Sequence, residues 1–167
     1  MKNKALIVQS DFTVLLDPRH ERAEEAREAL SSFAELMKSP DGLHTYRITP
    51  LTLWNAASAG QGADSILAAL QDHAKFGVPK GVADDIKTYV NRYGLVRIER
   101  NGRQLVLRCE DEEVLKRISQ YDALRSYWEP SPGDERHTLA VRLAGRGAVK
   151  RELMRLGFPV VDLAGYQ

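Results

Sequence analysis

Apolar and polar residues recur along this chain with periods that change several times, and each change marks an element. Ala5-Leu6-Ile7-Val8 and Phe12-Thr13-Val14-Leu15-Leu16 are β-rich runs joined by polar Gln9-Ser10-Asp11, the pattern of a short hairpin closed by Pro18. Between His20 and Met37 the apolar residues Ala23, Ala26, Leu30, Phe33 and Met37 return every three or four positions among Glu and Arg, which predicts an amphipathic helix. Ser39-Pro40-Asp41-Gly42 breaks it. After an extended piece over 44–48, Thr49-Pro50-Leu51 offers an N-cap and a first-turn proline for a helix expected to reach Ala59 and stop at Gly60. Ile66, Leu67 and Leu70, behind Asp64-Ser65, predict the next helix. Val82, Ile86, Tyr89, Val90 and Tyr93 predict a longer one ended by Gly94.

The sharpest local signal follows. Residues 95–100 and 103–108 flank Asn101-Gly102, a dipeptide that favours a type I′ hairpin turn because both central residues then adopt positive φ. A strand, packed helices and a hairpin in that order predict a winged-helix-like module with the hairpin as its wing. Beyond it, 105–107 reads as a strand and 110–128 as a helix with Val114, Leu115, Ile118, Tyr121 and Leu124 inward. A Pro/Gly loop spans 129–136. A second cycle runs from a strand over 137–143, through a helix over 147–156 with Val149, Leu153 and Leu156 on one face, to a strand over 158–163. The expected fold class is therefore α/β (α+β): an N-terminal hairpin with a winged-helix-like helical module over 1–103, then a small βαβαβ module over 104–167.

Composition narrows the class without naming a ligand. The 167 residues are 43% hydrophobic, enough to bury a core, and 24 Lys plus Arg nearly cancel 23 Asp plus Glu. The lone Cys109 forms no internal disulfide, and residues 1–8 do not make a signal-peptide core, so a cytoplasmic location is expected. No stretch approaches the roughly 20 apolar residues that span a bilayer, and no membrane partner is expected.

The familiar catalytic motifs are absent from the sequence. The chain carries no phosphate-cradling Gly-x-x-x-x-Gly-Lys-Ser/Thr, no Gly-x-Ser-x-Gly and no His-Glu-x-x-His, and His20, His44, His73 and His137 are scattered. Cys109 ends an apolar strand, which favours a buried inert thiol over a nucleophile. Glu110-Asp111-Glu112-Glu113 falls in a first helical turn, where carboxylates complement the helix dipole, and Asp84-Asp85 are helical neighbours pointing in different directions. Trp54 and Trp128 are better explained by packing than by stacking on a base. No catalytic or metal-binding residue is assigned.

What remains is local charge. Over 92–108, Arg92, Arg97, Arg100, Arg103 and Arg108 face a single acid, Glu99. Over 136–155, six basic residues, among them Arg142, Arg146, Lys150 and Arg151, face only Glu152. On a hairpin and beside the turn Gly145-Arg146-Gly147, these nine named side chains form the candidate DNA-binding set, holding phosphates through guanidinium, ammonium and helix N-terminal N–H groups.

The residues also carry a family resemblance. Leu6-Ile7-Val8-Gln9-Ser10-Asp11 with Thr13-Val14-Leu15-Leu16, Phe33-Ala34-Glu35-Leu36, and His44-Thr45-Tyr46-Arg47-Ile48-Thr49-Pro50-Leu51 followed by Leu53-Trp54-Asn55-Ala56-Ala57 resemble the N-terminal region of bacterial XPB-type DNA repair helicases. Pro79 and Tyr93-Gly94 belong to the same resemblance, which covers about the first hundred residues. The ending Leu156-Gly157-Phe158-Pro159-Val160 with Asp162-Leu163-Ala164-Gly165-Tyr166 is similar to the segment before the family's first motor domain, which makes 104–167 similar in place to its damage-recognition domain.

The resemblance implies an accessory, non-catalytic region of an ATP-dependent superfamily 2 helicase. It implies that ATP and Mg belong to a motor absent from these residues, and that this chain itself holds no cofactor. The ending at Tyr166-Gln167, where the motor would begin, points to a fragment. Expected partners are duplex or forked DNA with low sequence specificity and helicase motor domains in the same polypeptide. The alternative reading is a protein-interaction module that docks a nuclease or another repair partner.

Overall fold

The computed structural model describes residues 4–37, 42–130 and 137–165. It is a mixed α/β structure that divides into two compact units, residues 1–91 and 92–167.

In the first unit, β1 (Leu6–Val8) and β2 (Thr13–Leu16) form the expected antiparallel hairpin. The turn between them is held by Asp11, whose carboxylate accepts from the Thr13 backbone N–H at 3.0 Å and the Thr13 hydroxyl at 2.6 Å. Helix α1 (Ala23–Ser31) is shorter than the helical period predicts. The chain leaves the helix after Ser31 and turns Phe33 into the core, so that β3 (Glu35–Leu36) can pair with β4 (His44–Arg47). The sheet order is β1-β2-β4-β3.

Helix α2 (Pro50–Ser58) starts as expected, with a reciprocal cap at Thr49. The Thr49 hydroxyl accepts from the Thr52 N–H at 3.1 Å, and the Thr52 hydroxyl accepts from the Thr49 N–H at 2.9 Å. Helices α3 (Ala63–His73) and α4 (Lys80–Arg92) bury Ile66, Leu67, Leu70, Val82, Ile86 and Val90 in one core with Leu6, Leu16, Leu30, Phe33 and Leu53. Trp54 is also buried, donating its indole N–H to the Tyr89 carbonyl at 2.9 Å and meeting the Tyr89 ring edge-on. That is the packing role anticipated for it.

The second unit is built on a five-stranded sheet in the order β7-β8-β6-β5-β9. Strands β5 (Val96–Asn101) and β6 (Gln104–Cys109) are the expected hairpin, but its turn lies one residue later than Asn101-Gly102. Asn101 pairs with Gln104, which leaves Gly102-Arg103 as the two-residue loop. Only Gly102 of the two has positive φ, +64°, the pattern of a type II′ rather than a type I′ turn. The shift moves Arg103 from a strand to the tip. The hairpin read as a wing is also paired on both edges, with β8 (Thr138–Val141) antiparallel to β6 and β9 (Val160–Asp162) parallel to β5. Its strands therefore belong to the second unit, and the division between units falls ahead of the boundary expected at 103/104.

Helix α5 (Glu112–Ser119) is capped by Asp111, whose carboxylate accepts from the N–H groups of Glu113 and Val114. It stops well before Trp128. Gln120 ends the helix, Tyr121 is extended, a 3-10 helix covers Asp122–Tyr127, and β7 (Trp128–Glu129) joins the sheet edge beside β8. Helix α6 (Arg146–Arg155) and α5 supply Val114, Leu115, Ile118, Val149 and Leu153 to a core with Val96, Ile98, Leu105, Leu107 and Cys109. Most of the break expected at 39–42 and of the loop expected over 129–136 lies outside the described residues.

Candidate nucleic-acid interface

The β5–β6 pairing decides which hairpin side chains share a face. Arg97 sits opposite Arg108, and side chains alternate along each strand, so Arg97, Glu99 and Arg108 stand on one face while Arg100 stands on the other. On the first face Glu99 lies 2.8 Å from the Arg108 guanidinium and 3.4 Å from that of Arg97. Glu110 adds a second carboxylate, 3.4 Å from Arg97 and 3.9 Å from Arg108. The two arginines are thus held in an ion-pair cluster. Arg100, on the inner face, donates to the Ala164 carbonyl at 3.3 Å. Arg92 donates to the Gly157 carbonyl at 3.1 Å and lies over the Phe158 ring at 4.8 Å. These contacts tie Arg92 and strand β5 to the segments on either side of β9.

The second basic segment is neutralised from outside itself. The Arg146 guanidinium makes a two-point contact with Asp162, both bonds 2.7 Å, and the Lys150 ammonium reaches the same carboxylate at 2.9 Å. Arg146 retains 13% of its side-chain exposure and Asp162 15%. The Arg146 guanidinium, helped by Lys150, holds the Asp162 carboxyl well below the usual carboxylate range against the opposing effect of burial. Arg142 donates to the Ser126 carbonyl at 2.9 Å and faces Glu129 at 3.8 Å.

Gly145 is explained by packing. A Cβ there would come within 2.5 Å of the Tyr127 ring, and a 3-10 turn over Leu143–Gly145 leads straight into α6.

Two of the nine candidates remain. Arg103, at the hairpin tip, and Arg151, on α6, are exposed, and neither has an ion pair or hydrogen bond among the described residues. Arg103 borders a shallow cavity of about 370 Å³ lined also by Asn101, Gln104, Leu105, Glu129, Val141 and the exposed Leu143. The structure therefore does not bring the nine basic residues together as one surface. Of the acids that divide them, Glu99 lies inside the first basic stretch, while Glu110 and Asp162 lie just beyond the stretches in which the basic residues cluster.

Among the described residues no three His, Cys, Asp or Glu side chains converge as a metal site. No helix there is long and apolar enough to cross a membrane. Cys109 is fully buried, and burial pushes its thiol pKa up.

Comparison with known proteins supplies the family. The family model described as a helicase conserved C-terminal domain matches residues 6–128, the greater part of the chain. The chain belongs to this helicase family. The DNA 3'-5' helicase XPB of Mycobacterium tuberculosis is 40% identical over 167 residues, covering 99% of this chain and 30% of that protein. The protein of the same name from Kineococcus radiotolerans is 40% identical over 173 residues, again covering 99% of this chain and 30% of its own length. A more distant relative, the general transcription and DNA repair factor IIH helicase/translocase subunit XPB of Enterocytozoon bieneusi, is 26% identical over 161 residues, 26% of its length.

The chain thus spans about 30% of the length of the two bacterial XPB helicases. The family match takes in β1 to the start of β7, while α6 and β9, which carry the Arg146–Asp162 pair, are reached only by the pairwise similarity to XPB proteins.

Proposed function

We propose that this chain is a non-catalytic N-terminal module of an ATP-dependent DNA repair helicase, and that it touches DNA with the tip of the β5–β6 hairpin as a wing does. The observation that carries the reading is the placement of Arg103. Its guanidinium stands at a two-residue turn, exposed and without an acidic partner among the described residues, while the arginines on the strands behind it are tied to carboxylates and carbonyls. A cation at a protruding turn can reach a phosphate at little desolvation cost, whereas a paired one must first give up its carboxylate. Arg151 on α6 is the second available cation. ATP turnover belongs to motor domains elsewhere in the same polypeptide, and here the role is to position the module on the duplex.

Low sequence specificity follows from the chemistry, because phosphate contacts fix register without reading bases. The test is duplex binding by Arg103→Ala, where a salt dependence shallower by about one phosphate contact supports the reading and an unchanged one contradicts it.

A further inference from the structure

The first unit carries a cavity that the DNA reading does not use. It is about 270 Å³ in volume and is walled by Phe12, Ile48, Pro50, Leu53 and Tyr89, with Asp11, Arg47, Thr49 and Asp85 around it. Three elements build it. The β1–β2 turn brings Phe12, the end of β4 leads into Ile48 and the start of α2, and α4 brings Asp85 and Tyr89 one turn apart.

Phe12 is placed at a cost. Its φ of +71° is the only positive value among the described non-glycine residues, a conformation in which a bulky side chain is strained. The backbone is locked there. The Phe12 N–H donates to the Gln9 carbonyl at 3.2 Å, and its own carbonyl accepts from the Ile48 N–H at 2.9 Å, which joins the turn to the other wall of the cavity. A glycine would relieve the strain but would remove the Phe12 ring from the cavity wall.

The charges around this cavity select the occupant. Asp85 is exposed and has no hydrogen bond or ion pair among the described residues. Asp11 accepts from Thr13, and among the described residues Arg47 is the only cation lining the cavity, so that lining carries two carboxylates against one guanidinium. The start of α2 is a poor anion site as well. Its cap is closed by the reciprocal Thr49–Thr52 bonds, and Pro50 has no N–H. A polyanion is therefore disfavoured, and a cation is attracted. The volume lies below the range of drug-sized ligand pockets, on the order of 300–1,000 Å³, and suits one side chain. Leu51, next in sequence to Pro50 and 54% exposed, adds apolar surface close by.

We propose that this cavity is a docking socket for a peptide segment of a partner protein, one that inserts a single large apolar side chain against Phe12, Leu53 and Tyr89 and sets an adjacent Lys or Arg against Asp85. The socket is independent of the hairpin tip and would operate whether or not Arg103 meets DNA.

The test uses the whole chain, isotopically labelled, titrated by NMR with two capped dipeptides, N-acetyl-Trp-Lys-amide and N-acetyl-Trp-Glu-amide, and separately with an oligo-dT strand. The Trp-Lys probe should shift the Phe12, Ile48, Leu53 and Tyr89 resonances saturably and bind about fivefold tighter than Trp-Glu. Asp85→Lys, at an exposed helical position with no side-chain partner, should reverse that preference with the remaining spectrum unchanged. Three results would overturn the proposal: no saturable shift at these residues with either dipeptide, equal affinity for the two probes, or saturation of the same residues by oligo-dT in place of the dipeptides.

Discussion

Arg146 and Asp162 are separated by 16 positions in sequence and meet through two 2.7 Å bonds, the first residue of α6 against the last residue of β9. Lys150, one helical turn further, closes on the same carboxylate. Two cations that look like a phosphate site when the basic residues are read alone form, with Asp162, a latch between a helix and an edge strand. Replacing Asp162 with Asn leaves a largely buried guanidinium without its counter-charge. The expected cost is about 2–3 kcal/mol of stability, measured as a shift of the urea midpoint at constant m value. A change below about 0.5 kcal/mol would mean that the latch does not hold the strand.

The same pair sets a pH dependence whose sign is fixed. The folded-state pKa of Asp162 is depressed below its unfolded value of about 3.9, so its contribution is complete above that value and is lost as pH falls through the folded one. The stability gap between the native chain and Asp162→Asn should be constant from about pH 7 to 5 and should narrow below about pH 4. Urea unfolding of both proteins across that range checks it, and a gap that widens in acid would contradict the assignment.

How much of this was legible in the sequence follows from what each signal depends on. Helix α2 and the β1–β2 hairpin were legible because a cap, a proline and a short alternation are local. Helix α1 reads too long because Phe33 keeps the helical spacing even after the chain has left the helix, and β3 has only Glu35 and Leu36, both exposed, to announce itself. The stretch to Trp128 reads as one helix because a 3-10 segment, with three residues per turn, buries Leu124 much as an α-helix would. The candidate site was the least legible part. Its charge balance is settled by Glu99, which the β5–β6 pairing sets against Arg108, and by Asp162, which lies against Arg146 and Lys150 through the packing of α6 on β9, relations that no local count of residues contains.

Asp111 offers a check on the helix that backs the second sheet. Its carboxylate satisfies two N–H groups at the start of α5. Asp111→Ala should cost about 1 kcal/mol, and Asp111→Asn should recover most of it, both read from thermal or urea unfolding. Equal losses for the two variants would show that charge at the helix terminus, rather than the cap bond, carries the effect.

Cys109 should behave as a core residue. With the thiol fully buried and its pKa raised by that burial, the native chain should react with a thiol reagent such as DTNB only as fast as it unfolds. The measurement is the reaction rate with and without denaturant. Rapid stoichiometric labelling of the native protein would contradict the packing described for β6.

The hairpin is proposed to meet DNA at its tip and not along its strands, and the salt dependence of duplex binding decides between the two. Each phosphate contact contributes a slope of about −0.9 in log K against log salt. Three chains are to be compared, each verified as folded: the native sequence, Arg103→Ala, and the double variant Arg97→Ala with Arg108→Ala. Arg103→Ala should flatten the slope by about 0.9, and the double variant should leave it unchanged, because Arg97 and Arg108 are committed to Glu99 and Glu110. A slope unaltered by Arg103→Ala but flattened by the double variant would place the contact on the strand face and contradict it.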